Sequence, residues 1–95
     1  MVSTIYSKQV ELCGKMLEVA NSTSNCALKD DLYAEVNSIL IKMFVYYRQV
    51  RAGVTAEDKG VCDEILKDLQ HNWEKVSIKK MKLMVGEARY LVNTY

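Results

Sequence analysis

The sequence predicts an all-α fold, a small three- or four-helix bundle in a single domain over residues 1–95. From Leu32 to Val50 apolar residues fall at 32, 36, 39, 43, 46 and 50, a run of four- and three-residue spacings that only an α-helix places on one side. Two more stripes of the same period occur before and after it. The chain holds no proline and only four glycines, so little in it forces a break where a helical pattern continues. The expected helices lie near 3–20, 27–52, 56–76 and 78–94.

Ser3 is placed to cap the first helix, and Lys8, Glu11, Lys15 and Glu18 recur along one solvent face. Tyr6, Val10, Cys13 and Leu17 line the centre of its apolar side, widened by Ile5, Leu12, Met16 and Val19. The run Asn21-Ser22-Thr23-Ser24-Asn25 contains only capping and turn formers and reads as the first loop.

A second helix starts near residues 24–27 and ends before Gly53, which supplies the left-handed position after a last helical turn. Its seam is Leu32, Val36, Ile39, Met43, Tyr46 and Val50. The acids Asp30, Asp31 and Glu35 come early and Lys42, Arg48 and Arg51 late, the order that complements a helix dipole. A buried strand over 39–47 is the competing reading, disfavoured because the seam extends well beyond it and no second strand exists to pair with it.

Thr55, with Asp58 three residues on, forms the capping start of a third helix whose stripe is Cys62, Ile65, Leu66, Leu69, Trp73 and Val76. Beyond Val76 the apolar set becomes Ile78, Met81, Val85, Ala88 and Val92, roughly 100° further round. Either Ser77 caps a fourth helix after a kink or one long helix touches two neighbours; the overhang of so long a helix favours the kink.

A composition of 49% hydrophobic and 26% charged residues is that of an ordinary globular chain, and a net charge of +1 removes any whole-chain argument for a polyanionic partner. Cys13, Cys26 and Cys62 form no CxxC pair, which suits a reducing compartment, and Cys26 beside the first loop is the thiol expected to react. Charges in the first 16 residues interrupt what would be a signal peptide, and the longest apolar run is too short to span a membrane. The expectation is a cytoplasmic protein with no membrane contact, for which Asn21-Ser22-Thr23 is an accidental glycosylation match.

No catalytic, metal or nucleotide motif of useful specificity occurs. Asp68 and His71 stand three apart on a helix, but this is the chain's single histidine, so no metal and no cofactor is expected. For want of an acid, base or nucleophile at a meaningful spacing, an enzyme is not expected either.

Two surfaces remain. Ala34, Ile41 and Val45, with Phe44 and Arg48 at the edges, lie on the back of the second helix, away from its seam. Two opposed apolar surfaces make that helix either central in its own bundle or packed on a second chain, which points to a protein partner or a homodimer. Lys75, Lys79, Lys80, Lys82 and Arg89 against Glu74 and Glu87 leave the last 22 residues at +3, whereas residues 56–73 carry −3. The basic helix is a candidate nucleic-acid contact, or it answers the acidic stretch of the same bundle. The sequence therefore reads as a non-enzymatic protein-interaction module, a small regulator, inhibitor, adaptor or chaperone-like subunit. The alternative is a nucleic-acid-binding accessory factor using the C-terminal helix.

Overall fold

The structure, a computed structural model, describes residues 4–95, with side chains from Tyr6 onward. Ser3, and the side chain of Ile5, lie outside the described residues. Four helices form: α1 (Thr4–Ser22), α2 (Cys26–Val45), α3 (Ala56–His71) and α4 (Ile78–Thr94), and no strand occurs among the described residues. A π turn (Tyr46–Val50) continues α2, and a 3-10 turn (Trp73–Lys75) follows α3.

Each described start is set by one local side chain. The Oδ1 of Asn25, the Oγ1 of Thr55 and the Oγ of Ser77 accept from the backbone N–H groups of Leu28, Asp58 and Lys80, each at 3.1 Å. These satisfy N–H groups that a helix leaves without an internal partner. Gly53, at φ +87°, makes the turn after the π segment. The first loop is shorter than expected because Ser22 donates its hydroxyl to the Glu18 carbonyl, 3.1 Å, and the Thr23 N–H reaches Val19, 2.9 Å. Residues 21 and 22 thus stay helical, closing carbonyls that would otherwise face water. The stretch 56–94 is two helices, since Asn72 leaves helical geometry at φ −138° and the chain re-enters at Ser77.

Central to the packing is α2, which contacts α1, α3 and α4, while α4 also lies along α1. A helix with three neighbours buries a wide arc, and here it is Val36, Ile39, Leu40, Met43, Phe44 and Tyr47. The expected seam is therefore corrected at its end: Tyr46 is half-buried and Val50 is 68% exposed. In the π turn the Arg51 N–H reaches back five residues to Tyr46, 2.8 Å. Wider turns rotate less per residue, so by Val50 the chain lags the α-helical phase by roughly 60° and points away from the core.

Tyr47, still in α-helical phase with Leu40, Met43 and Phe44, points inward. Its ring meets Tyr46 edge-on at 5.1 Å and Tyr95 at 6.5 Å, and Tyr6 lies 4.8 Å from Tyr46, so one end of the bundle is closed by four tyrosines. Tyr95 also completes the cap of α3. A capping box uses a long Glu or Gln to reach back to the cap residue's N–H, and Asp58 is too short for it. Instead the Thr55 N–H donates to the Tyr95 hydroxyl, 3.3 Å, and that hydroxyl donates to Asp58, which also accepts from Tyr90 at 3.1 Å. The Arg51 guanidinium holds the Tyr95 carbonyl from the other side.

Candidate interaction surface

Both α3 and α4 lean on the central part of the bundle but hardly approach each other directly, which leaves a groove of about 360 Å³ between them. Val61 and Ile65, four apart on α3, face Leu83 and Met84 on α4. The α3 pair flanks the stripe that buries Cys62, Leu66 and Leu69, so its apolar side chains are only half-covered. Leu83 stands on the outer side of α4 at 67% exposure. Glu64, Asp68 and Glu87 rim the groove, against Lys80 as its only base among the described residues. Lys80 bridges the two helices to Asp68 at 2.8 Å.

The back of α2 is a different matter. Phe44 is 0% exposed, a core residue of this chain's own bundle, so the expectation that it meets a partner is corrected. Ile41 and Val45 are half-buried against the core, Ala34 is exposed, and Arg48 is engaged by Asp63 of α3 at 2.7 Å. Within this chain α3 covers part of that back, and α2 is central in its own bundle.

The basic residues do not form one strip. Lys80 and Lys82 are two positions apart on a helix, roughly 200° in rotation. Accordingly Lys80 borders α3, while Lys82 and Arg89 border α1, where Arg89 meets Glu11 at 3.3 Å. Lys79 is exposed on the outer face and Lys75 lies in the 3-10 turn. Two of the five cations thus answer acids of the same bundle.

Asp68 is committed to Lys80, His71 is exposed, and no group of three or more His, Cys, Asp or Glu placed to hold a metal occurs among the described residues. Cys26 is exposed. Cys13 and Cys62 are buried, and desolvation of the thiolate pushes them up to about 12 and about 11, helped by Glu35 at Cys13 and by Asp58 and Asp63 at Cys62. No helix among the described residues is long and apolar enough to cross a membrane.

Sequence reasoning missed the groove. Its signal was Leu83, an apolar residue outside the stripe of Ile78, Met81, Val85, Ala88 and Val92 and two residues from each of its nearest members. Comparison with protein-family models, with curated proteins and with solved structures finds no match for this chain.

Proposed function

We propose that the chain is a non-enzymatic protein-interaction module, a small regulator, inhibitor, adaptor or chaperone-like subunit, and that it acts through the groove between α3 and α4. The observation that carries this reading is Leu83, 67% exposed above an apolar floor with three carboxylates around it. An isolated exposed leucine is ordinary, but one that continues a half-covered apolar groove is the form of a docking site for an amphipathic helix. The acidic rim selects a segment whose apolar face is flanked by lysine or arginine. A second copy of the chain is one occupant to test, because a net charge of +1 offers little long-range repulsion.

The test is capture by the tagged chain from its native host, compared between the wild type, Leu83→Arg with Glu64→Arg, and Lys79→Glu with Lys80→Glu and Lys82→Glu. Light scattering at micromolar concentration reads self-association of the same proteins. Loss of the same captured protein, or of the dimer, in the groove variant and its retention in the lysine variant is the expected outcome. Binding to DNA or RNA that falls steeply with salt and vanishes only in the lysine variant would transfer the function to the basic helix. Ile41→Asp is unsuited to this purpose, since a charge beside the core would unfold the chain before it reported on a partner.

A further inference from the structure

At the opposite end of the bundle from the tyrosine cluster, the first turns of α2 meet the 3-10 turn and enclose a pocket of about 460 Å³ lined by Asp30, Tyr33, Trp73 and Glu74. Its chemistry is one-sided. Asp30 and Glu74 have no ion-pair partner among the described residues, and no basic side chain lines the pocket. Tyr33 and Trp73 are both half-buried, yet neither stacks on another ring among the described residues, unlike the four tyrosines at the far end. Two aromatic faces that the fold has not used for packing on each other stand over the same space as two carboxylates that it has not paired.

The face of α2 that carries Asp30 and Tyr33 continues, at the third and then the fourth residue on, to Asn37. Asn37 is 9% exposed and its Oδ1 has no hydrogen-bond partner. Asn37 does not itself line the pocket, so the pocket's character is set by the four side chains that do. A ring presents negative charge on its face, so carboxylates and rings attract the same species; the donors on the lining, the Tyr33 hydroxyl and the Trp73 indole N–H, are neutral, and an anion would meet two carboxylates with no cation among the lining side chains to offset them.

We infer that this pocket binds a protonated alkylamine, either a free amine or the ammonium tip of a lysine side chain carried by another protein. The ammonium lies between Asp30 and Glu74, and the alkyl stem lies against Tyr33 and Trp73. This site is separate from the groove between α3 and α4 and does not depend on what that groove binds.

Trp73 is the chain's only tryptophan, so its fluorescence reads the pocket directly. The wild type is titrated with butylammonium chloride, with the amide of Nα-acetyl-lysine, and with sodium chloride at matched ionic strength. A saturable change in Trp73 emission with an amine, absent with sodium chloride, is expected. Asp30→Asn with Glu74→Gln should raise the midpoint at least tenfold, and Tyr33→Leu should raise it several-fold, with circular dichroism of both variants unchanged. Comparable midpoints for the two amines assign the site to lysine side chains as well as free amines; a response to butylammonium alone assigns it to free amines. An amine response matched by sodium chloride, or one left intact by Asp30→Asn with Glu74→Gln, overturns the inference.

Discussion

Replacing Asn37 by leucine should make this protein more stable, contrary to the usual direction of a core substitution. Asn37 sits at 9% exposure on the central helix, and its Oδ1 is buried without a hydrogen-bond partner. A buried acceptor in that state costs about 1–3 kcal/mol relative to its hydrated form in the unfolded chain. Leucine has the same branching and the same number of side-chain heavy atoms, but its methyl groups are bulkier than a planar amide, so part of the gain is offset by tighter packing at the site. The net gain should fall near 1 kcal/mol, which for a domain of this size corresponds to a rise in Tm of roughly 4–8 °C. Thermal unfolding followed by circular dichroism, with a urea titration to check that the slope is unchanged, measures it. Asn37→Asp, which places a charge in the same site, should lower stability by several kcal/mol. A Tm for Asn37→Leu at or below that of the wild type would refute the reasoning, since it would mean the amide is worth more to the fold than its missing partner suggests.

The relay through the Tyr95 hydroxyl predicts that Tyr95→Phe lowers stability by about 1–2 kcal/mol, because it removes the link between the Thr55 N–H and Asp58 while keeping the ring. Tyr90→Phe, at an exposed position with the same acceptor, should change Tm by a degree or two at most. Among the thiols, Cys26 should react rapidly with a disulfide reagent and Cys13 and Cys62 only on unfolding, as a time course with and without denaturant would show. The raised buried thiols also predict alkaline sensitivity. Between the ordinary thiol value of 9.0 and the folded values of about 11 and about 12, the unfolded chain loses these protons and the folded chain keeps them. Stability is therefore full below about pH 9 and falls as pH rises through this window. Cys13→Ala with Cys62→Ala should flatten that slope between pH 9 and 11, at the expense of a lower Tm throughout; an unchanged slope would refute the assignment.

Features that depend on near neighbours along the chain are readable from the order of residues alone. The cap at Thr55, the stop at Gly53, the re-entry at Ser77 and the central stripes of α1, α3 and α4 rest on hydrogen bonds and spacings within a few residues, so they are legible without knowing what packs where, whereas Leu12 and Val19 at the edge of the α1 stripe stay exposed. The charge asymmetry belongs to the same class, and its partner inside the bundle, Asp68 with Lys80, was among the readings it allowed.

Which side of α2 is inside is set by the packing of the four helices, because an apolar residue on a helix states a preference for burial and not the identity of the neighbour that provides it. Phe44 lay at the edge of a candidate partner surface until the bundle closed over it, and Val50 left the core where a π turn changed the phase of the last turn. The same holds for the groove and the amine pocket. Val61 and Ile65 line one groove with Leu83 and Met84, and Tyr33 lines one pocket with Trp73, only through the angles at which α3, α4 and the turn between them rest on the bundle. Those angles follow from side-chain packing summed over the whole interface, which no local spacing encodes.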